Sequence, residues 1–236
     1  EDEKADPITY TEVETINSMI PLWKRNKSEI TDEEYNEFYK HQFNDFEDPL
    51  KVIHTKVEGM TEYTSLLFIP KKAPFDLYSE KFEKGLQLYS KGVFIMDKNK
   101  DLIPDYFRFV KGLVDSSDLS LNISREMLQQ DRLLKKIASN IEKKIKSELE
   151  KMQKNNRDEY NEFYQTYGIN LKYGIYEGYG MNKEKLQDLV MFKTTKNDEF
   201  ITLKEYVESM PKDQKVIYYA SGKTKESILA LPQMDL

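Results

Sequence analysis

The sequence contains no cysteine, only two histidines and a single tryptophan among its 236 residues. The lack of cysteine excludes structural disulfides, thiolate metal sites and a cysteine nucleophile. It also agrees with a reducing cytoplasm, which is the location we expect. The histidines, His41 and His54, fall on different predicted elements without metal-ligand spacing, so no metal site is predicted.

Long apolar runs and excess positive charge are absent too. No apolar run approaches the ~20 residues that a membrane-spanning helix needs, and the acidic first ten residues, EDEKADPITY, do not form a signal peptide. Thirty-six basic and forty-two acidic residues give a net charge of −6. We therefore expect neither a membrane nor a nucleic acid as a partner.

The common catalytic motifs are also missing. The chain has no GxxxxGK[ST] or GxGxxG phosphate loop and no GxSxG nucleophile elbow. The glycines of GIYEGYG, from Gly174 to Gly180, alternate with other residues and follow no clear strand, which favours a tight turn over a phosphate loop. No motif supports a stand-alone enzyme with its own small-molecule pocket.

What is present is typical of a folded α/β protein. Hydrophobic residues make up 39% of the chain, with sixteen tyrosines and twelve phenylalanines, enough for one large or two modest domains. The runs KVIHTKVEG and MTEYTSLLFIP predict a β-hairpin, and GLQLYSKGVFIMDK and KVIYYASG predict further strands. Capping boxes, Thr31 with Glu34 and Thr202 with Glu205, predict two helix starts, and DLIPDYFRFVKGLV is interpreted as a helix.

A long amphipathic helix is predicted from about Ser124 to Lys154. Its apolar residues recur every three or four positions: Leu134, Ile137, Ile141, Ile145, Leu149 and Met152. After it come shorter helical segments and then KVIYYASG followed by a last helix. Because a lone strand and helix form an incomplete α/β unit, we expect the chain to be cut near Glu1 and near Leu236.

The start of that long helix, LNISREMLQQ, places Arg125 where the helix dipole is already positive. Asn122 or Ser124 can cap the helix, and Gln129 lies one turn beyond Arg125 on the same face. Unpaired amides of the first turn and a guanidinium together suit an anion such as phosphate. The alternative is a local salt bridge in which Asp115, Asp118 or Glu126 neutralises the arginine. The residues alone leave both interpretations open.

Two aromatic residues are candidates for contacts with other proteins. Trp23 precedes a polar stretch, and Phe75 lies in a loop flanked by lysines and prolines. Either side chain belongs to the core or, if exposed, marks a contact site.

Several long motifs resemble the middle segment of the 90-kilodalton heat-shock chaperone family, in its bacterial form. They are PLWKRNKSEITDEEYNEFYKHQFNDFEDPL, FIPKKAPFDL, GVFIMD, DLIPDYFRFVKGLVDSSDLSLNISREMLQQ and YVESMPKDQKVIYYASG. The resemblance extends from about Ile16 to Leu236. It implies a large three-layer α/β/α sandwich, a coil of short helices and a smaller α/β/α sandwich, truncated here.

The resemblance also implies domain boundaries. Residues 1–15 would be a linker remnant, and residues 16–154 the large subdomain, with a catalytic loop at 115–130 and the long helix at 124–154. Residues 155–189 would form the helical connector. Residues 190–236 would form the small, incomplete subdomain.

The family's roles are expected at matching positions. In the family, the arginine of this motif reaches the γ-phosphate of ATP held by a separate N-terminal domain, so Arg125 is the expected catalytic arginine, with Gln129 and Asn122 shaping its loop. ATP and Mg²⁺ would be bound mainly by that other domain, and the chain alone would not be an enzyme. Trp23 and Phe75 match residues implicated in contacts with client proteins or between domains.

The expected partners are the N-terminal ATP-binding domain, a C-terminal dimerisation domain, client proteins and other chaperones, in a full-length homodimer. A second hypothesis keeps only the binding role: a protein-interaction module for clients and partner chaperones that contributes nothing to catalysis.

Overall fold

The computed structural model describes residues 20–120, 132–195 and 199–232. Its largest unit is a five-stranded sheet in the order β1-β2-β5-β3-β4. The strands are β1 Lys51–Val57, β2 Tyr63–Ile69, β3 Leu86–Ser90, β4 Val93–Asn99 and β5 Lys111–Ser116. All neighbours pair antiparallel except β3 and β5, which are parallel. The predicted hairpin is confirmed as β1 and β2.

Helices cover both faces of the sheet. The helices are α1 Asp32–Phe43, α2 Arg132–Asn155, α3 Arg157–Tyr176, α4 Lys183–Leu186, α5 Leu203–Glu208 and α6 Lys225–Leu229. One face packs against α2 and α3, through Leu67 and Ile69 of β2. The other face packs against α1, through Leu66 and Phe68 of the same strand. This period-two alternation gives the predicted α/β/α layers.

The two predicted capping boxes are confirmed. The Thr31 side chain accepts a bond from the Glu34 amide while the Glu34 carboxylate accepts one from Thr31, and α1 begins there. Thr202 and Glu205 make the same exchange at the start of α5. The apolar residues predicted for the long helix are buried along α2, which ends at Asn155. Its predicted first residues, 124–131, lie outside the described residues.

The predicted helix in DLIPDYFRFVKGLV was wrong. The structure has short 3-10 turns at Lys100–Leu102 and Asp105–Phe107, followed by the central strand β5. Gly112 explains how β5 fits between its neighbours: a Cβ at this position would lie 2.4 Å from the Leu66 carbonyl oxygen. Tertiary pairing with β2 therefore overrides the local helical pattern.

The strand predicted in KVIYYASG was also wrong. Residues 215–222 form neither helix nor strand, and Val216, Ile217, Tyr218 and Tyr219 are exposed. A strand needs the main chain of a neighbour. In the described chain, β6 Met191–Lys193 and β7 Phe200–Thr202 pair only with each other.

The connection after α3 is a tight turn, as predicted for GIYEGYG. Gly178, Tyr179 and Gly180 have positive φ angles of 68°, 55° and 85°, and this left-handed geometry ends the helix. Of the helices the structure describes, none is both long and apolar enough to cross a membrane.

Candidate functional site

The predicted catalytic residues Asn122, Arg125 and Gln129 lie in residues 121–131, outside the described part of the chain. Both flanks of that segment are described. It follows β5, a central strand of the five-stranded sheet, and precedes α2, the longest described helix. The segment is therefore bounded by two elements whose positions the core determines.

The turn leading into the segment is fixed by side-chain hydrogen bonds. The Ser116 hydroxyl donates to the Glu62 carbonyl at 2.7 Å, and the Ser90 hydroxyl donates to the Leu119 carbonyl at 2.6 Å. The Glu62 amide donates to the Asp118 carboxylate at 2.8 Å. Since Leu119 is also buried, the chain leaves β5 along a path held by β2 and β3.

Asp115, on β5, is a buried carboxylate with three partners. Its Oδ1 accepts from the Gly92 amide at 3.0 Å, and its Oδ2 accepts from the Trp23 indole nitrogen at 3.0 Å. The Lys24 ammonium lies 3.3 Å from the same Oδ2. Both carboxylate oxygens therefore already have partners. This makes Asp115 a less suitable local salt-bridge partner for Arg125 than the sequence alone suggested.

Trp23 lies against the sheet as a half-buried residue. Its ring contacts Phe38 edge-on at a centroid distance of 6.1 Å and Tyr89 at 4.9 Å. It packs with the cluster under α1. Only part of the ring is available to another protein, and its predicted role in client contact stays a prediction.

His54 holds the Trp23 main chain in place. Its Nε2 is 3.0 Å from the Trp23 carbonyl oxygen, which can only accept, so Nε2 carries the proton. The Tyr35 hydroxyl then donates to Nδ1 at 2.7 Å. Burial lowers the pKa of His54, and the nearby Lys27 acts in the same direction. His41 is exposed, and no group of three or more metal-ligating side chains occurs in the described ranges.

Phe75 is fully exposed at the tip of a turn. The turn is closed by a hydrogen bond from the Leu77 amide to the Pro74 carbonyl at 3.0 Å, and Leu77 is completely buried. The Tyr78 hydroxyl donates to Asn170 of α3 at 2.8 Å. The loop therefore presents an apolar ring to solvent from an anchored base.

Sequence reasoning missed a second exposed apolar feature, on α3 and the turn that follows it. Ile169, Tyr173, Tyr176, Tyr179 and Met181 are all exposed. Their signal in the sequence was the spacing of four, three and three residues from Ile169 to Tyr179. That signal was hidden because the same helix also carries the buried aromatic residues Tyr160, Phe163, Tyr164 and Tyr167.

Comparison with known proteins assigns the family. A family model described as Hsp90 protein matches residues 1–236. The chain belongs to the Hsp90 family. The resemblance found in the sequence motifs is confirmed.

Relatives and a solved structure locate the chain within Hsp90 proteins. It is 55% identical over 227 residues to the chaperone protein HtpG of Clostridium perfringens. The aligned region covers 96% of this chain and 36% of that protein. It is 54% identical over 235 residues to HtpG of Clostridium botulinum, covering 100% of this chain and 38% of that protein. The middle domain of a heat shock protein of Plasmodium falciparum superposes with a TM-score of 0.80 at 33% identity, over 92% of this chain and 85% of that one. The chain thus spans little more than a third of its curated relatives and corresponds to an Hsp90 middle domain.

Proposed function

We propose that this chain is the middle segment of an ATP-dependent chaperone that supplies a catalytic arginine, Arg125, to ATP held by a separate N-terminal domain. Gln129 and Asn122 shape the loop that carries it. The same segment binds client proteins through Phe75 and the exposed part of Trp23. In the proposed full-length protein, a C-terminal domain mediates dimerisation and other chaperones act as partners. Its proposed location is the cytoplasm.

The use made of the nearby carboxylates supports a role for Arg125 beyond its own domain. Asp115 is occupied by Trp23, Lys24 and Gly92, and Asp118 accepts from the Glu62 amide. Two of the three acids that would neutralise the arginine locally therefore already have partners. A guanidinium matches the oxygens of a phosphate in a bidentate way, so a terminal phosphate is a suitable partner for Arg125.

ATP with Mg²⁺ would supply the phosphoryl group that is transferred to water. On this chain, Arg125 would bind the terminal phosphate and offset negative charge as the bond breaks. Gln129, four residues on, would lie on the same helical face. Asn122 would cap the helix and so fix the position of Arg125 in its first turn.

The catalytic proposal is tested by Arg125→Ala in the full-length protein. Arginines with this role in other nucleotide hydrolases contribute ~10³ to 10⁵ in rate, and we expect turnover to fall at least about tenfold. Arg132→Ala, at an exposed position at the start of α2, is the matched control and should keep parental turnover. Parental turnover in Arg125→Ala would remove the catalytic role.

Client binding is tested by Phe75→Ala. The change removes an exposed ring without touching the core, so stability should stay within about 0.5 kcal/mol while affinity for a permanently unfolded protein falls. Met60→Ala is the matched control because Met60 is similarly exposed in the β1–β2 turn, at the opposite end of that hairpin from the Phe75 loop. Equal loss in the two variants would argue against a specific contact at Phe75.

The protein-interaction module remains the second candidate, favoured by the anchored presentation of Phe75. It predicts weaker client binding in Phe75→Ala together with unchanged ATP turnover in Arg125→Ala. Turnover loss in Arg125→Ala would exclude this purely binding role.

A further inference from the structure

A cleft of about 690 Å³ lies beside β4, the edge strand of the five-stranded sheet. Its walls are the end of β4, the segment 82–84 that precedes β3, and the two 3-10 turns of residues 100–108. Sites for small molecules commonly measure about 300 to 1,000 Å³. The cleft therefore has a suitable size for a small organic ligand.

The main chain around the cleft is held in place by buried contacts. Asn99 is buried, and its side-chain oxygen accepts from the Asp101 amide at 3.0 Å. A Cβ at Gly85 would lie 2.9 Å from the main chain of Lys98, so two walls of the cleft are in close contact there. Leu102, in the first 3-10 turn, is completely buried in the main core. The lining side chains thus project from a fixed frame.

Arg108 is the lining residue that indicates a ligand. Its guanidinium carbon lies 5.1 Å from the centroid of the Phe82 ring, and its one hydrogen bond within the described ranges runs from Nη2 to the Phe82 carbonyl oxygen at 3.5 Å. Its Nε is buried without a partner. Arg25 and Arg157, by contrast, each pair with a carboxylate at 2.7 Å. Most of the hydrogen-bonding capacity of the Arg108 guanidinium therefore remains unused by the described part of the protein.

Carboxylates line the same cleft, but other groups engage them. Asp105 pairs with the Lys84 ammonium at 2.9 Å. Asp97 accepts from the side-chain amide of the buried Gln87, also at 2.9 Å. Neither carboxylate forms an ion pair with Arg108, so the guanidinium keeps its charge available to an acceptor from outside.

The remaining charged side chains of the cleft offset one another. Glu83 lies 4.0 Å from the Lys98 ammonium, and Lys100 and Asp101 are adjacent and both exposed. In total the lining carries four basic and four acidic side chains, so its net charge does not select a ligand. The selective group is Arg108, which is half-buried and has no carboxylate partner among the described residues.

Apolar surface lies in the cleft together with the guanidinium. The Phe82 ring and the Met96 side chain, both half-buried, line it. A guanidinium matches the paired oxygens of a carboxylate or a phosphate, whereas the ring and the thioether match an apolar body. An inorganic ion would use only the first of these two features.

We propose that this cleft binds a small organic anion, with a carboxylate or phosphate group on Arg108 and an apolar body against Phe82 and Met96. Carboxylate and phosphate share the oxyanion chemistry that Arg108 recognises, and the test below separates them. The inference is independent of the proposed function, because neither Arg125 nor the client-binding residues take part in it.

The test follows the Met96 methyl group by nuclear magnetic resonance in the full-length protein with isotope-labelled methionine methyls. Its signal is assigned by its loss in Met96→Leu. The probes are benzoate, phenyl phosphate and benzyl alcohol, which has the same ring without a charge. We expect at least one anion to shift the Met96 signal saturably, with a Kd of about 1 mM, and benzyl alcohol to bind at least about tenfold more weakly. The tighter anion identifies the preferred head group.

Arg108→Gln should weaken binding of the preferred anion at least about tenfold. Arg157→Gln is the matched control, because Arg157 is also half-buried but pairs with Glu205, and it should bind like the parent. Urea unfolding checks that both variants are folded. If Arg108→Gln does not fold, the comparison of the anions with benzyl alcohol in the parent still decides the question.

Three results would overturn the inference. The first is a Met96 signal in the parent that neither anion shifts. The second is equal affinity for the anion and for benzyl alcohol, or equal affinity in the parent and a folded Arg108→Gln. The third is binding of inorganic phosphate as tight as that of phenyl phosphate, since the apolar surface would then contribute nothing.

Discussion

Asp115 connects three parts of the chain through a single side chain. Its carboxylate accepts from the Trp23 indole and the Gly92 amide and pairs with Lys24. Gly92 permits this approach because a Cβ there would lie 2.8 Å from the Lys24 ammonium nitrogen, and its φ of +84° is the left-handed value of a two-residue hairpin turn. One residue on β5 therefore fixes the segment before α1 and the β3–β4 turn.

Asp115→Ala should lower the free energy of unfolding by about 1–3 kcal/mol, because it removes the acceptor of the part-buried indole and amide donors. Urea unfolding followed by the fluorescence of Trp23 measures it. Lys24→Ala should cost no more than about 1 kcal/mol, since the ammonium is part-exposed. Similar losses of unfolding free energy in the two variants would mean that Asp115 stabilises the protein only through its ion pair with Lys24.

His54 should make stability depend on pH. Burial lowers its pKa below the ~6.5 of an exposed histidine, so below about pH 6.5 the unfolded chain binds the proton more readily than the folded chain. This contribution to stability is complete above about pH 6.5 and is lost as the pH falls from there towards the lowered pKa.

The pH effect is measured as the slope of the unfolding free energy between about pH 7.5 and about pH 5.5. His54→Gln should flatten this slope, and His41→Gln, at an exposed position, should leave it unchanged. A slope that persists in His54→Gln would assign the pH dependence to other groups.

The helix α3 connects several separate segments of the described chain. Its three buried tyrosines donate to main-chain carbonyls: Tyr160 to Leu189 at 2.6 Å, Tyr164 to Met191 at 2.7 Å and Tyr167 to Pro70 at 3.0 Å. Burial raises the pKa of all three hydroxyls, that of Tyr164 to about 12. They therefore stay protonated donors at neutral pH, and α3 fixes both the Phe75 loop and the approach to β6.

Tyr167→Phe should destabilise the protein by about 1–2 kcal/mol, because the Pro70 carbonyl loses a buried donor. Hydrogen exchange of the Phe75 loop, residues 71–82, should also accelerate. Tyr176→Phe, on the exposed side of the same helix, should change neither quantity. Unchanged loop exchange in Tyr167→Phe would show that the loop is held by Leu77 alone.

Element types were predictable where the local pattern and the tertiary setting agree. The β-rich runs of β1 and β2 flank a short turn, the 3.6-residue period of α2 buries one face of that helix, and the capping boxes of α1 and α5 act within a single turn. The segment Lys111–Ser116 was assigned wrongly because its partners, β2 and β3, lie 20 or more residues away in sequence. Pairing on both sides, and not propensity, makes it a strand.

At the scale of the whole molecule, stability is unevenly distributed. The main core joins one face of the sheet to α2, α3 and the segment up to Met191. In residues 203–232, by contrast, no residue is buried. The first region is held by long-range packing and the second mainly by local hydrogen bonds.

Amide hydrogen exchange should therefore proceed in two stages. Amides of α5, α6 and residues 209–224 should exchange at least about tenfold faster than those of α2, because local opening there exposes little apolar surface. Mass spectrometry of peptic fragments separates the two regions. Equal protection in the two regions would show that the chain unfolds as one cooperative unit.

The sequence by itself determined the family, the α/β class, the helix caps and the residues expected to meet ATP or a client. These follow from short-range chemistry and from motifs, which a linear chain displays directly. Only the tertiary structure decided that Asp115 and Asp118 are already engaged, that Trp23 packs while Phe75 stands free, and that Tyr173 and Tyr176 of α3 face solvent. Those facts depend on which distant segments the sheet and core bring into contact, and burial and partner distance are properties of the fold rather than of any local pattern.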